Sequence, residues 1–247
     1  MYKERVLIIV AHPDDEVIGC GGTIAAHAQR GDEVSILFLA DGVTSRFFNP
    51  NKSVSREEEL SACYDDLLRR KQESREAAEI LGVGQDHLYY SDLADQRLDS
   101  YPLLVLVKHV EGIVSSLKPD LIYTHFWNDL NIDHRLVFQA VATACRPGIG
   151  KPNIRVFSFE VPETTWLSIP DGKDAFQPSC ILDVSDTLKH KLRAMGAYES
   201  EHRTFPHPRS IEFLKKLAEE RAQGQDFSAG EAFVERRCLN EINKEKV

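Results

Sequence analysis

Residues 6–22 read V-L-I-I-V-A-H-P-D-D-E-V-I-G-C-G-G, and the character of the chain changes twice along them. The apolar run Val6–Val10 predicts a buried strand, and a glycine-rich segment begins soon after Glu16. In α/β proteins, ligands bind just outside the carboxyl ends of strands, at junctions of this kind. The turn between the two segments holds one imidazole and three carboxylates, and a divalent cation would neutralise that density of like charge. We therefore expect a metal site at this turn.

The rest of the chain alternates short apolar runs with helical patterns. The apolar runs predict strands at Val6–Val10, Val34–Leu39, His87–Tyr90, Leu121–Thr124, Val156–Phe159 and Ile181–Val184. Helical periodicity predicts helices at about Gly22–Arg30, Arg56–Leu81, Leu103–Leu117, His134–Cys145 and Asp186–Ser200. Strands that alternate with helices indicate βαβ units. The predicted fold class is therefore α/β, with a Rossmann-like, mostly parallel sheet that carries helices on both faces.

The last third of the chain changes character after Val161. It is less regular and richer in proline, with Pro162, Pro170, Pro178, Pro206 and Pro208. We interpret residues 1–247 as one domain, with a core of about 1–160 and an irregular C-terminal extension of about 161–247 that caps it.

Composition narrows the range of partners and compartments. The net charge of −9 argues against nucleic acid, because phosphate binding needs basic patches. The five cysteines are scattered and odd in number, which is typical of reduced thiols and not of a disulfide framework. No signal peptide pattern and no apolar run long enough for a membrane span are found in the sequence. We expect a cytoplasmic protein.

Two side chains of the first motif have metal-ligand spacing. His12 and Asp15 lie three residues apart on a turn that Pro13 stiffens, so both can reach one ion. A catalytic Zn²⁺ site usually has three protein ligands and one open position. Asp14 would then face the open position, where it could take a proton from water. The third ligand has to come from another strand end.

A second polar cluster follows the strand Leu121–Thr124. It reads H-F-W-N-D-L-N-I-D-H-R over residues 125–135 and leads into a helix. His134 opens that helix directly after Asp133, a residue type that often caps helices. This cluster is the candidate source of the third ligand.

Together the two clusters resemble the zinc-dependent N-deacetylases of the LmbE-like and PIG-L family. That family has an A-H-P-D-D-E box after its first strand and a downstream H-x-x-D-H or H-x-D-H motif. The box is intact here as residues 11–16, and the second motif appears as Asn131-Ile132-Asp133-His134. The stretch Ala229-Gly230-Glu231-Ala232-Phe233 is similar to the E-A-F ending of these proteins. The resemblance therefore extends from Arg5 to about Arg237.

The resemblance implies a set of roles. His12, Asp15 and His134 would bind one Zn²⁺ per chain, or another divalent ion, and Asp14 would be the general base. Asp133 would support the histidine of the second motif. The implied reaction is hydrolysis of an N-acetyl group on an amino sugar or its conjugate. Relatives often assemble, so a homo-oligomer is possible, and the sequence leaves the oligomeric state open.

Asn131 departs from the family pattern, since many members have a histidine at this position. Its amide can donate a hydrogen bond to an oxyanion but cannot deliver a proton to the leaving amine. Either Asp14 both takes and returns the proton, or His125 or another residue supplies it. This departure also leaves two alternatives open: a metal-dependent amidase on a non-sugar substrate, and a catalytically impaired zinc- or sugar-binding protein.

Other polar residues near the two motifs are candidates for substrate contact. Arg46, in the loop after the second predicted strand, could bind an anionic group or be a solvated surface residue. His125 could line the pocket or have its hydrogen bonds satisfied at the end of the strand. Asn128 and Asp129 could bind sugar hydroxyls, or be ordinary turn residues. The loop 202–209 contains two histidines and two arginines. We interpret it as a surface loop, with contact to a substrate anion as the alternative.

Overall fold

A computed structural model describes residues 3–52, 54–147, 154–168 and 175–237. The described residues form one seven-stranded sheet. Its strands are β1 (Arg5–Val10), β2 (Glu33–Ala40), β3 (Leu88–Leu93), β4 (Leu121–His125), β5 (Arg155–Phe159), β6 (Cys180–Asp183) and β7 (Gly230–Arg237).

Eight α-helices connect or follow these strands within the described residues. They are α1 (Asp15–Arg30), α2 (Arg56–Ala62), α3 (Tyr64–Leu81), α4 (Leu103–Leu117), α5 (Ile132–Ala144), α6 (Pro162–Thr165), α7 (Leu188–Ala197) and α8 (Ile211–Arg221).

The sheet is mostly parallel, as the sequence predicts. Its order is β3-β2-β1-β4-β5-β7-β6, and β1 pairs in parallel with both β2 and β4. Val6 lies opposite Leu121 and Ile9 lies opposite Thr124. Because β1 and β4 are parallel neighbours in this register, their carboxyl ends meet at one edge of the sheet. The two polar clusters that follow these strands are therefore adjacent in space.

Both faces of the sheet are covered, which confirms the predicted layers. One buried cluster joins Ile8 and Ile36 to residues of α1, α3 and α7. The other joins Leu7 and Ile9 to residues of α4 and α5. Since successive side chains of a strand point to opposite faces, an uninterrupted apolar run such as Val6–Val10 supplies both clusters.

The C-terminal part contributes more regular structure than its sequence suggests. β7 pairs antiparallel with β5 and with β6, so both C-terminal strands extend the main sheet. Sequence analysis missed β7, which contains the E-A-F stretch, and also α6 and α8. The predicted division of the domain into a core and a C-terminal extension near residue 160 stays a prediction. Pro170 and Cys238, which the sequence analysis counted, lie outside the described residues.

Two predicted helices differ from the observed ones at their N-terminal parts. α1 begins at Asp15, seven residues before the predicted start, and has non-helical angles at Cys20 (φ −148°, ψ 26°). The segment predicted as Arg56–Leu81 forms two helices that meet at Cys63, where φ is −118°. Ser55 and Glu58 form a reciprocal capping box that starts α2. Glycine-rich sequence inside α1 concealed the first turns, because glycine usually signals a turn.

No helix within the described ranges combines the length and the apolar character needed to cross a membrane. The four cysteines that fall in these ranges form no disulfide bond.

Gly19 provides a stability test of how α1 packs on the sheet. A Cβ atom at Gly19 would lie 2.1 Å from Cδ2 of Phe159, a fully buried ring. We expect Gly19→Ala to destabilise the protein by about 1–3 kcal/mol, the usual cost of overpacking a core. Gly112→Ala is the matched control, because a Cβ atom there has nothing within 4 Å. Chemical denaturation should show the control unchanged or slightly stabilised; equal stability of both variants would contradict the packing argument.

Candidate metal and catalytic site

The first motif forms a buried turn between β1 and α1. Asp14 adopts a left-handed backbone conformation (φ 114°), which is uncommon for a residue other than glycine. The N–H of His12 donates to Oδ2 of Asp15 at 2.9 Å, and the N–H of Asp14 donates to Oε2 of Glu16 at 3.0 Å. The hydroxyl of Tyr198 donates to the other oxygen of Glu16 at 2.6 Å. Side chains of the motif therefore hold its own backbone, and Glu16 serves that purpose.

The structure brings His12, Asp15 and His134 together, as the resemblance implies. Nδ1 of His12 lies 3.3 Å from Oδ2 of Asp15, and Nε2 of His134 lies 3.4 Å from the same oxygen. One ligand atom from each of the three residues falls within 4.8 Å of the others. His134 reaches this point from the first turn of α5, which follows β4. All three side chains are buried.

A carboxylate supports each of the two histidines. Oδ2 of Asp133 lies 3.0 Å from Nε2 of His12, and Asp133 also accepts from the backbone N–H groups of Gln96 and Leu98. Oδ1 of Asp129 lies 3.2 Å from Nδ1 of His134. Asp133 therefore supports the histidine of the first motif, whereas the resemblance placed it behind the second. The reason is that Asp133 and His134 are consecutive on α5 and their side chains diverge.

Asp129 is more deeply buried than a residue that contacts the hydroxyl groups of a sugar would be. It is 1 % exposed, and it accepts hydrogen bonds from the hydroxyl of Thr165 (2.5 Å) and from the N–H of Asn131 (2.8 Å). With His134 as a further partner, its oxygens are engaged. The position of Asp129 fits orientation of His134 better than contact with a sugar.

His125 is fully buried at the end of β4. Its ring stacks on His134 with centroids 3.9 Å apart, and its Nε2 accepts the backbone N–H of Ala11 at 2.9 Å. Burial, together with nearby His134, holds the pKa of His125 well below the usual value. A neutral ring whose Nε2 accepts carries its proton on Nδ1. The ring of His125 therefore packs against one face of the His134 ring.

Electrostatics at this point favour a positive charge. Burial lowers the pKa of His134, but Asp15 and Asp129 outweigh it and raise that pKa to about 9. Burial raises the pKa of Asp15, but His134 and His125 outweigh it and hold the pKa well below its usual range. Two imidazole nitrogens and one carboxylate oxygen are the donor types of a catalytic zinc site.

An orphaned atom tests whether the residues present fit a metal ion. Nε2 of His134 is buried and has no hydrogen-bond partner among the described residues. Nδ1 of the same ring faces Asp129 and can donate its N–H there, so that loss of the second proton of the imidazolium leaves the lone pair on Nε2. A buried polar atom without a partner is costly, and coordination of a cation would satisfy it. The donor set therefore fits a divalent ion.

Asp14 lies beside this donor set and faces a cationic partner from the C-terminal part. It is 2 % exposed, and its Oδ2 makes no hydrogen bond. Nη1 of Arg209 lies 3.2 Å from that oxygen. Burial raises the pKa of Asp14 to about 7, although Arg209 opposes the shift. Asp14 therefore adjoins the candidate ligand Asp15 in the chain, and its carboxylate faces Arg209.

Arg209 reaches Asp14 from the end of a loop whose residues 203–206 are exposed, and this contact is one that the sequence did not single out. Arg209 belongs to the loop 202–209, which we interpreted as a surface loop. Its Nε donates to Glu163 at 2.7 Å and its Nη1 donates to Glu201 at 2.5 Å. Glu201 is buried and also accepts from Arg46 and Arg70. The concentration of basic residues in 202–209 was the available signal.

Asp95 is a second residue that the sequence did not single out. Its Oδ1 lies 3.1 Å from Nε2 of His12, and its Oδ2 accepts from the hydroxyl of Ser45 at 2.5 Å. It is buried at the edge of the site, after β3. A lone aspartate in the segment A-D-Q-R carries no pattern that marks it.

The remaining predicted residues are placed as follows. Arg46 has a half-exposed side chain that pairs with buried Glu201. Asn131 caps α5, and its Oδ1 accepts from the N–H of Asp133 at 2.9 Å. Asn128 lies half-buried in the same loop. Substrate contact by Arg46 and Asn128 stays a prediction.

Several known proteins are similar to this chain in sequence or in fold. The chain is 29 % identical over 206 residues to the uncharacterized deacetylase YaiS of Escherichia coli, with 80 % of this chain and 92 % of that protein covered. It is 30 % identical over 208 residues to the diacetylchitobiose deacetylase of Thermococcus kodakarensis, with 80 % and 70 % covered. The solved structure of GalB, the 4-carboxy-2-hydroxymuconate hydratase of Pseudomonas putida, superposes with a TM-score of 0.68 at 19 % identity, covering 97 % of this chain and 99 % of that one. At that identity the likeness concerns the fold alone.

A family model gives the assignment. The model described as "PIG-L: GlcNAc-PI de-N-acetylase" matches residues 7–145, which include β1 and β4 and both polar clusters that follow them. This chain belongs to the PIG-L family.

Proposed function

We propose that this protein is a zinc-dependent hydrolase that removes an N-acetyl group from an amino sugar or an amino-sugar conjugate. The observation that carries the proposal is the buried convergence of His12, Asp15 and His134, with the unpartnered Nε2 of His134. Relatives with detectable sequence similarity support it, since two of them are named deacetylases. The hydratase shares only the fold, so it does not favour a second function.

His12, Asp15 and His134 would hold the ion, with Asp133 and Asp129 behind the two histidines. When bound, zinc polarises an amide carbonyl and makes a neighbouring water more acidic. The supporting carboxylates fix the ring orientation and the tautomer of each histidine, which is the usual arrangement around metal-binding histidines.

Asp14 acts as the general base in this proposal. It directly precedes the candidate ligand Asp15, and its carboxylate can take a proton from the water that attacks the acetyl carbon. The new C–O bond forms as that proton moves to Asp14, and the C–N bond then breaks. The nitrogen of the leaving amine needs a proton at that stage.

The same Asp14 is the best donor of that proton. The amide of Asn131 has no acidic proton that it could transfer to the amine. His125 stacks on His134, and its Nε2 accepts from the N–H of Ala11. Asn131 can still contribute a hydrogen bond. Its Oδ1 is held by the N–H of Asp133, so its amide N–H₂ is the group left to donate to a developing oxyanion.

Acetate release tests the proposed function. Zinc-loaded and chelator-stripped protein would be incubated with N-acetylglucosamine, diacetylchitobiose and an N-acetyl amino acid. We expect zinc-dependent release of acetate from the sugars. Release from the amino acid alone would favour an amidase on non-sugar substrates, and zinc binding without release would favour a binding protein, the alternative that Asn131 raises.

Zinc affinity tests the ligand set and its support. We expect His134→Ala to lose zinc binding and Asp129→Asn to weaken it by about 10–100-fold, the usual effect of removing a group that orients a ligand. Asp120→Asn is the control, because Asp120 pairs with Arg5 at the opposite edge of the sheet. Competition with a zinc-binding dye would measure the zinc affinity of all three variants. Equal zinc affinity of Asp129→Asn and Asp120→Asn would argue against this role of Asp129.

Loss of the base should separate catalysis from metal binding. We expect Asp14→Asn to bind zinc like wild type and to lower kcat by about 10²–10⁴-fold, the range that general base catalysis contributes. Steady-state acetate release and metal analysis would be made on the same preparation. A turnover near that of wild type would show that another group removes the proton.

Arg209 should affect turnover through Asp14. Since it is anchored by Glu163 and Glu201 and lies 3.2 Å from Asp14, its loss frees that carboxylate to move. We expect Arg209→Gln to lower kcat by about tenfold or more, because small misplacements of a catalytic group are costly. Arg203→Gln in the same loop is the control, since Arg203 contacts backbone carbonyls at the surface. A raised KM at unchanged kcat would instead assign Arg209 to substrate binding.

A further inference from the structure

Helix α1 is interrupted between the site and its own C-terminal part. At Cys20 the backbone leaves helical geometry, with φ −148° and ψ 26°. The turns before the break carry Asp15 and Glu16, and Asp14 caps them. The turns after the break run to Arg30 at the opposite edge of the sheet. An interruption leaves carbonyl groups on one side and N–H groups on the other without helical partners.

Glu231 of β7 supplies acceptors to the second half of α1. Its Oε1 accepts the N–H of Gly22 at 2.9 Å, and its Oε2 accepts the N–H of Thr23 at 2.7 Å. This is the position of an N-cap, filled here by a carboxylate from a strand about two hundred residues away in sequence. A carboxylate at this end of a helix is also favoured by the helix dipole.

Lys191 of α7 joins the two halves. Its Nζ donates to the carbonyl oxygen of Ile18, before the break, at 2.9 Å. The same Nζ donates to Oε1 of Glu231 at 2.6 Å, and Glu231 binds the segment after the break. The hydroxyl of Thr187, at the start of α7, donates to the carbonyl of Gly22 at 2.8 Å. Lys191 and Glu231 thus bridge the interruption from outside the helix.

The burial of this pair indicates a geometric purpose. Lys191 is 3 % exposed and Glu231 is 4 % exposed. A buried ion pair is often no more stabilising than an apolar pair of the same size, because both charges lose their hydration. This one is engaged with backbone groups of α1 on both sides of the break. Such a pair specifies a position more than it adds stability.

The fit of α1 to its surroundings depends on the break. A Cβ atom at Gly19 would lie 2.1 Å from the ring of Phe159, and one at Gly22 would lie 2.8 Å from Val184. The first turns therefore press on β5, and the later turns press on the residue after β6. The break at Cys20 lies between these two contacts, so each part of α1 can take its own direction while Asp15 faces His134.

We propose that the buried pair Lys191–Glu231 is a positioning device: it sets the break in α1 and thereby the distance between Asp15 and His134. Glu231 is the acidic residue of the E-A-F stretch, for which the proposed reaction has no direct use. The inference rests on the proposed metal site but not on the acetyl substrate. Both residues act through Asp15 and touch no reacting atom.

Zinc affinity and amide exchange test the pair together. In Glu231→Gln and Lys191→Met we expect the zinc dissociation constant to rise about 10–100-fold. We expect the amide hydrogens of Gly22 and Thr23 to exchange at least about tenfold faster by NMR, since their acceptor is weakened. Because the two residues act as a unit, the double variant should lose less zinc affinity than the product of the single losses.

Asp32→Asn is the matched control, because it alters a carboxylate at the far end of α1. Asp32 accepts from the N–H of Glu4 and from Nε of Arg30, and its side chain is as buried as those of the pair. The zinc affinity of the Asp32→Asn variant should stay within about threefold of that of wild type. This should hold even if the melting temperature of this variant falls as far as that of Glu231→Gln.

Each outcome decides something different. Faster exchange at Gly22 and Thr23 with unchanged zinc affinity would overturn the proposal, because the pair would cap α1 without placing Asp15. An equal loss of zinc affinity in Asp32→Asn would also overturn it, by showing a general effect of stability. Failure of both pair variants to fold would make the pair a requirement for folding and not a positioning device. Wild-type protein that binds zinc but releases no acetate would overturn the proposed function alone, and one that binds no zinc would overturn both.

Discussion

Three consecutive carboxylates, Asp14, Asp15 and Glu16, are buried on one turn with at most 2 % exposure each. Burying three carboxyl groups side by side is unfavourable unless each finds a partner or becomes neutral, and burial raises the pKa of Asp14 to about 7 and that of Glu16 to about 8. Asp15 has the two histidines, Glu16 has Tyr198 and a backbone N–H, and Asp14 has Arg209. Much of the architecture around this turn consists of the elements that deliver those partners.

Those elements come from distant parts of the chain. β4 and α5 bring His134, because β4 is the parallel neighbour of β1. The C-terminal segments bring Tyr198 from the end of α7 and Arg209 from the loop before α8. The C-terminal part therefore contributes to the electrostatics of the site as well as to the sheet. A site assembled in this way depends on the end of α7 and on the loop before α8 as well as on the motif after β1.

The parts that sequence could predict are those that local pattern determines. The apolar runs located six strands to within a few residues, and the spacing of His12 and Asp15 marked the turn correctly. The parallel pairing of β1 and β4 then put His134 within reach. What could not be predicted depends on long-range side-chain geometry: Asp133 faces His12 because Gln96 and Leu98 hold its oxygens. β7 was missed because only three apolar residues stand together in E-A-F-V-E-R-R, with charged residues on both sides of them.

Asn131 shows how one side chain can keep the geometry of a site while changing its chemistry. As the cap of α5, its Oδ1 holds the N–H of Asp133, and that bond fixes the turn from which both Asp133 and His134 project. Asparagine is among the best residues for such a cap, so the helix start and the two side chains that follow it are preserved. What the substitution removes is a proton that could be transferred. In the proposed reaction the proton would travel by way of Asp14, so the partners of Asp14, above all Arg209, would bear on that reaction although they come from a distant part of the sequence.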